Sequence, residues 1–301
     1  MKIAVAASPD VAIPTLEWLR NSKHDLALVV SRPDSAVGRG RQLSPSPVSS
    51  WAKANGIELY QPSKATDFDQ RLADFDLVIT IGYGLILPEL LLKQPKFGFI
   101  NLHFSLLPEL RGAAPVQRAI IEGMKETGVT VFQLDAGMDT GPIFIQQKFQ
   151  IVPGTTSGEL LSNLAALGPE LIEKTLVAIE SGIAPIPQES SKVTMAPKLS
   201  KAEAQIDWAT KSHALVNKIL GFSPNPGAVA KFRGEVLRIT NAQVGDIDLP
   251  KGQVRLAEGR VYVGTADGSI ELLTVTPAGK RNMSAAAWAN GARFGDGESF
   301  E

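Results

Sequence analysis

The sequence predicts an α/β protein in which a Rossmann-like, parallel-rich sheet domain precedes a small C-terminal β-barrel that is OB-like. A strand, a helix and a second strand follow one another at residues 2–7, 11–20 and 25–31. This spacing is typical of parallel strands joined by crossover helices. After residue 200, short alternating strands recur between glycine turns, as in a small barrel. With 301 residues and 44% hydrophobic side chains, the chain can form two cores.

Alternating helices and strands continue through the N-terminal half. Helices are predicted at 48–55, 115–122 and 156–180, with the end of a further helix at 69–74. Strands are predicted at 57–60, 76–81, 98–103, 128–134 and 143–152. Gly56 ends the helix before it, and Thr156 with Glu159 forms a capping box at the start of the helix at 156–180.

The composition changes after this last helix. Residues 181–199 contain Pro185, Pro187 and Pro197 without lasting periodicity, which indicates an interdomain linker. Beyond it, strands are predicted at 228–232, 235–242, 252–257, 260–264 and 269–276. We therefore predict domains at 1–182 and 201–301, joined by a linker at 183–200.

Composition disfavours several function classes. A net charge of −1 provides no overall attraction for nucleic acid, so such a partner would require a local patch. Without cysteine, the chain has neither disulfides nor thiolate chemistry, and its three scattered histidines do not suggest a metal site. No apolar run has the length of a signal peptide or a membrane span, so we expect a cytoplasmic protein without a membrane partner. The turn at residues 7–12 lacks glycine, which disfavours dinucleotide binding.

The strand at 98–103 carries an unusual polar row. Because side chains alternate along a strand, Asn101 and His103 point to the same side, and Ser105 extends this row. Pro108 then ends the strand. Buried polar groups are costly unless paired, so the row requires either internal partners or a ligand, and an isolated Asn-x-His is more often a satisfied core pair.

Three loops add further polar or glycine-rich positions. Tyr83 lies between Gly82 and Gly84 after a buried strand, where a plain turn or close approach of a ligand is possible. Asp139 lies in a glycine-bracketed loop, where acidic residues are usually inert. Residues 32–47 form a long segment that holds Arg39 and Arg41, which indicates either a solvated loop or a phosphate-contacting arm.

Taken together, these segments resemble the formyltransferases. The Asn101-x-His103 strand followed by Ser-Leu-Leu-Pro matches the family hallmark, and Arg111-Gly-Ala-Ala-Pro115 narrows the resemblance to methionyl-tRNA formyltransferases. Further similarity lies at 82–88, 139–141 and 202–208. The sequence departs from the family pattern at two places. At the expected rim of the pocket, Phe104 occupies a position where glycine is commoner, and in the first turn Ala7-Ser8 replaces the usual Gly-Thr.

The resemblance implies a catalytic trio of Asn101, His103 and Asp139 and no metal. Asn101 and His103 can donate to a developing oxyanion, and one such donor is typically worth roughly 2.7–4 kcal/mol. Asp139 would either orient His103 or help to deprotonate the attacking amine. The resemblance also implies that two arginines, Arg39 and Arg41, contact the acceptor end of a tRNA. It implies that 10-formyltetrahydrofolate binds in a pocket lined by Ser105, Leu106, Leu107, Pro108, Tyr83 and Gly84.

We therefore predict a formyltransferase catalytic domain at 1–182 and a tRNA-binding barrel at 201–301. The predicted reaction transfers formyl from 10-formyltetrahydrofolate to the α-amine of methionyl initiator tRNA, for translation initiation, and we expect a monomer. Two alternatives remain: formylation of a small amine, such as glycinamide ribonucleotide or an amino sugar nucleotide, and a catalytically inactive tRNA-binding module.

Overall fold

The computed structural model describes residues 1–37, 42–68, 70–295 and 297–301. Its strands are β1 (Lys2–Ala7), β2 (Asp25–Val30), β3 (Ser35–Val37), β4 (Gln42–Ser44), β5 (Leu59–Tyr60), β6 (Leu77–Ile81), β7 (Phe99–His103), β8 (Glu126–Gln133), β9 (Ile143–Gln150), β10 (Ala228–Phe232), β11 (Glu235–Val244), β12 (Val254–Ala257), β13 (Arg260–Gly264), β14 (Ser269–Pro277) and β15 (Met283–Ser284). Its helices are α1 (Ile13–Arg20), α2 (Pro47–Ala54), α3 (Glu89–Leu92), α4 (Pro115–Ile121), α5 (Ser157–Ala165), α6 (Gly168–Glu180), α7 (Ser212–Phe222) and α8 (Ala285–Ala292).

The chain forms two compact units, and each contains its own sheet. The first comprises Met1–Ala113, Thr127–Phe149 and Leu161–Ala196; the second comprises Ala114–Glu126, Gln150–Leu160 and Pro197–Glu301. The predicted domain boundaries at 182/183 and 200/201 stay a prediction. Within the first unit, two residues of the predicted linker form backbone bridges: Ile186 pairs with Ile143, and Met195 pairs with Arg111.

The sheet of the first unit has seven strands in the order β5-β2-β1-β6-β7-β8-β9. β1 pairs in parallel with β2 and β6, β6 pairs in parallel with β7, and β7 pairs antiparallel with β8. β6 is buried along its whole length, as expected of a strand with both faces covered. The predicted Rossmann-like, parallel-rich domain is therefore confirmed, and β1, β2, β6 and β7 all end at the same edge.

The predicted helix at 156–180 was wrong in one respect, because it is two helices, α5 and α6. Pro169 lies at the start of α6, where a residue without an amide hydrogen is tolerated but cannot continue a preceding helix. Gly168 allows a close approach to the site strand: a Cβ there would lie 2.5 Å from Thr15 Oγ1 and 2.9 Å from Leu102 Cδ2. This contact packs the start of α6 against β7 and α1.

The second unit is built on an antiparallel sheet in the order β10-β11-β14-β13-β12, with β15 paired to β14. α7 packs against β11 and also against α4. An aromatic cluster lies at one end, with Phe232 in edge contact with Trp288 and Phe294. The predicted small C-terminal β domain is confirmed by this sheet.

Candidate functional site

His103 and Asp139 come together at the end of β7. His103 is the last residue of that strand and only 7% of it is exposed, while Asp139 lies in the loop between β8 and β9. His103 Nδ1 lies 3.8 Å from Asp139 Oδ2. The same Oδ2 accepts a hydrogen bond of 2.7 Å from the backbone N–H of Gly112, which helps to orient the carboxylate.

A second contact determines the tautomer of His103. Its Nε2 lies 3.1 Å from the carbonyl oxygen of Leu110. A carbonyl oxygen only accepts, so Nε2 carries the hydrogen and the Nδ1 lone pair of the neutral ring faces Asp139. Burial lowers the pKa of His103 below its ordinary value, and the nearby Asp139 carboxylate and the Leu110 carbonyl only partly oppose this. The ring is therefore neutral at neutral pH and accepts a proton at Nδ1.

Asn101 lies on the same side of β7, two residues before His103. Its Nδ2 donates a hydrogen bond of 2.8 Å to Thr80 Oγ1, and Thr80 in turn donates to the carbonyl oxygen of Ile100. Asn101 is half-buried, and one N–H and the Oδ1 of its amide have no further hydrogen-bond partner among the described residues. The free N–H can therefore donate to a ligand.

The loop that follows β7 is held by hydrogen bonds. Thr130 Oγ1 donates to the carbonyl oxygen of Ser105 and accepts from the backbone N–H of Leu107. Gln146 Nε2 donates to the carbonyl oxygen of Leu107, and Ser105 Oγ donates to the carbonyl oxygen of Glu109. Leu106 contacts Gly128, where a Cβ would lie 2.5 Å from Leu106 Cδ2. Hydrogen bonds and packing therefore hold the segment from Ser105 to Pro108 in place directly after His103, and its role in folate binding stays a prediction.

The two residues of the predicted glycine turn have different surroundings. Tyr83 is 5% exposed and belongs to the apolar cluster that includes Val78 and Phe99. Its hydroxyl has no partner among the described residues, and burial raises its pKa. Gly84 is exposed at a φ of 75°, a left-handed conformation that favours glycine. A role for either residue in folate binding stays a prediction.

A cleft of about 720 Å³ lies at the ends of β1, β2 and β6. Its lining includes Ser8, Arg32 and Gly82, and Ser8 Oγ accepts a hydrogen bond of 3.1 Å from the Arg32 backbone N–H. Ser8, which stands where threonine is commoner in the family, thus binds the start of the arginine-containing segment at residues 32–47. Arg39 and Arg41, which were predicted to contact tRNA, lie outside the described residues. Phe104, the departure from the family pattern after His103, is buried, with 7% of its surface exposed.

Several residues around the trio were missed by sequence reasoning. Thr80 holds Asn101, Thr194 Oγ1 accepts from the backbone N–H of Leu110, and Gln188 binds the carbonyl oxygens of Asp139 and Gly141. A polar residue within the apolar strand β6 was the available signal for Thr80. Gln188 and Thr194 lie in a proline-rich segment without periodicity, where no local pattern distinguishes them.

Within the described ranges, no group of three or more His, Asp or Glu side chains is arranged to hold a metal ion. The same ranges contain no helix that is long and apolar enough to cross a membrane.

Sequence comparison identifies similar proteins over the full chain. A family model described as formyl transferase matches residues 1–176, and one for the formyl transferase C-terminal domain matches residues 198–293. A methionyl-tRNA formyltransferase of Streptomyces griseus is 41% identical over 306 residues, covering 99% of each chain. One of Thermobifida fusca is 41% identical over 312 residues, covering 100% of this chain and 99% of the other.

Structural comparison shows the same fold at lower identity. A methionyl-tRNA formyltransferase from Clostridium thermocellum has a TM-score of 0.59 at 15% identity, covering 91% of this chain and 99% of the other. HypX from Aquifex aeolicus, in complex with tetrahydrofolic acid, has a TM-score of 0.68 at 18% identity, covering 96% of this chain and 47% of the other. An N-formyltransferase from Helicobacter canadensis, in complex with folinic acid and dTDP-3-aminofucose, has a TM-score of 0.69 at 18% identity, covering 90% and 98%.

Proposed function

Since the chain belongs to the formyl transferase family, we propose that it transfers a formyl group from 10-formyltetrahydrofolate to the α-amine of methionyl initiator tRNA. The observation that carries the proposal is the full-length similarity to methionyl-tRNA formyltransferases, at about 41% identity, in a chain that places His103 3.8 Å from Asp139. The small-amine alternative is less well supported, because similarity to an N-formyltransferase in complex with dTDP-3-aminofucose, at 18% identity, concerns the fold alone. An inactive module does not explain a buried histidine that faces a half-buried aspartate at a strand end.

The residues around β7 fit a folate cosubstrate. Asn101 is half-buried and offers an amide N–H that has no partner among the described residues. The loop from Ser105 to Pro108, which follows the same strand, is held in place by hydrogen bonds. When bound, the cosubstrate supplies the formyl carbon that the amine attacks. Asn101 donates to the formyl oxygen, where a preorganised donor stabilises developing negative charge.

The neutral His103 can accept the proton that the attacking amine loses. Because Nε2 already donates to Leu110, the proton arrives at Nδ1, and Asp139 stabilises the resulting imidazolium from 3.8 Å. The imidazolium carries a charge that burial disfavours, so His103 readily gives the proton to the folate nitrogen that leaves when its bond to the formyl carbon breaks, or to solvent. These roles for Asn101, His103 and Asp139 belong to the proposal.

Three further parts of the proposal concern tRNA binding, the oligomeric state and the cellular compartment. Residues 201–301 bind tRNA, and Arg39 and Arg41 reach toward its acceptor end. Arg39→Ala should lower turnover on initiator tRNA more than binding, whereas Arg41→Ala should act through salt-sensitive affinity. We also propose that the protein acts as a cytoplasmic monomer.

One parallel assay tests the function. 10-Formyltetrahydrofolate is offered with methionyl initiator tRNA, uncharged initiator tRNA and glycinamide ribonucleotide, and formylated product is measured for each. We expect product with the methionyl-tRNA alone. Product with glycinamide ribonucleotide and none with the tRNA would contradict the proposal in favour of a small acceptor, and tRNA binding without any product would favour the inactive module.

A further inference from the structure

Residues 186–196 hold both sides of the His103–Asp139 pair. Ile186 exchanges two backbone hydrogen bonds with Ile143, at 2.7 and 2.8 Å, next to the loop that carries Asp139. At the other end, Arg111 donates to the Thr194 carbonyl oxygen at 2.9 Å and accepts from the Ala196 N–H at 2.7 Å. The segment thus connects the loop after β7 with the loop after β8, and both loops carry groups that contact His103.

Gln188 makes four hydrogen bonds at the centre of this segment. Its Nε2 donates to the carbonyl oxygens of Asp139, at 2.9 Å, and Gly141, at 2.8 Å. Its Oε1 accepts from Arg111 Nε, at 3.1 Å, and Nη2, at 2.6 Å. A primary amide is suited to this position because it can donate and accept at once, whereas a carboxylate only accepts.

The backbone of Asp139 is held in the left-handed region, with a φ of 53°. Aspartate adopts this conformation more readily than most L-residues. Gln188 binds the carbonyl oxygen of this same residue, and Gly112 binds its side chain. Removing Gln188 would therefore free the backbone to relax and move the carboxylate away from His103.

Thr194 acts on the opposite side of the imidazole. Its Oγ1 accepts from the N–H of Leu110 at 2.8 Å, and the Leu110 carbonyl oxygen accepts from His103 Nε2. Leu110 has a φ of 57°, so it also lies in the left-handed region. Both partners of His103 therefore lie in the left-handed backbone region, and each is bound by a side chain of residues 186–196.

We propose that Gln188 is a positioning residue that holds Asp139 in contact distance of His103. The inference rests on the proposed formyl transfer for its kinetic consequence, although the geometry of the pair can be measured without substrate. Gln188 acts through Asp139, because its four side-chain hydrogen bonds all go to protein groups. Its contribution should appear in kcat rather than in KM, because a displacement of about 1 Å can cost on the order of 100-fold in rate.

The experiment compares Gln188→Ala and Gln188→Glu with Glu189→Gln as the matched control. Gln188→Glu keeps an acceptor for Arg111 but removes the donor to Asp139 and Gly141. Glu189 is an exposed neighbour paired with Lys192 at 3.3 Å, so its substitution changes the same segment without touching the pair. Formylation kinetics are combined with an NMR titration of the histidine side chains, of which the chain has three, so His24 and His213 serve as internal references.

We expect both Gln188 variants to lose about 10-fold to 100-fold in kcat with little change in KM. The pKa of His103 should fall further in Gln188→Ala, because Asp139 no longer opposes the effect of burial. Gln188→Glu brings a new carboxylate close to the pair, so only its kcat and KM enter the comparison. Glu189→Gln should match the wild type in both measurements. Wild-type kcat in Gln188→Ala, or an unmoved His103 titration, would overturn the inference. If the wild type formylates no tRNA, the proposed function fails, whereas the titration still decides the role of Gln188.

Discussion

Asp139→Asn tests the charge of the His103–Asp139 pair with little change in shape. Asparagine tolerates the left-handed backbone at this position, and its side-chain oxygen can still accept from the N–H of Gly112. The variant should therefore fold normally. What it loses is the carboxylate that stabilises the protonated form of His103.

The distance sets the size of the effect. Two unit charges separated by 3.8 Å interact with about 4 kcal/mol at an effective dielectric constant of about 20. Each 1.36 kcal/mol corresponds to about tenfold in rate, so the upper limit is about three orders of magnitude. Since the amide keeps part of the local hydrogen bonding, we expect turnover to fall by about 100-fold to 1,000-fold.

Asp135→Asn is the matched control, because it removes a carboxylate from the same loop. Asp135 Oδ1 accepts from the Gly137 N–H at 3.0 Å and from Thr140 Oγ1 at 2.6 Å, which are contacts within the loop. Single-turnover formylation of methionyl initiator tRNA gives the rates, and thermal denaturation checks the fold. Near-wild-type turnover in Asp139→Asn, or an equal loss in Asp135→Asn, would refute the reasoning.

Three further predictions concern the polar row, the pH dependence and the second unit. Asn101→Ala should lower single-turnover rate by about two to three orders of magnitude, with folate affinity, measured by equilibrium binding, falling much less. Burial holds the pKa of His103 below the ordinary 6.5, so the unfolded chain takes up this proton first as the pH falls, and the free energy of unfolding is full above about pH 6.5 and decreases below it. His103→Asn should weaken this decrease, measured by urea unfolding at pH 7.5 and 5.5. An unchanged decrease would contradict the prediction. Gly221→Ala in α7 should destabilise the protein by about 1–3 kcal/mol, because the new Cβ would lie 2.4 Å from Ile121 Cγ1 of α4. Gly291→Ala in α8, where the new Cβ meets no neighbouring atom within 4 Å, should be neutral or stabilising by up to about 1 kcal/mol. Equal melting temperatures for the two variants would contradict this prediction.

Local patterns were sufficient for the main elements. Apolar runs located β1 and β6 closely, because burial on both faces leaves a nearly continuous hydrophobic signal. The same two-residue period placed Asn101 and His103 on one side of their strand before any contact was known. Family resemblance added Asp139, since the composition of its loop is that of an ordinary turn.

Only the tertiary structure decided which atoms complete the site. His103 and Asp139 are far apart in sequence, and their 3.8 Å approach depends on the pairing of β7 with β8 and on the loop that leaves β8. Likewise, Gln188 lies in a segment predicted as a linker, yet its side chain holds the backbone of Asp139. Irregular segments have no period, and their contacts follow from long-range hydrogen bonding. The sequence therefore determined the strand that presents the polar row, and the packing of distant loops determined its partners.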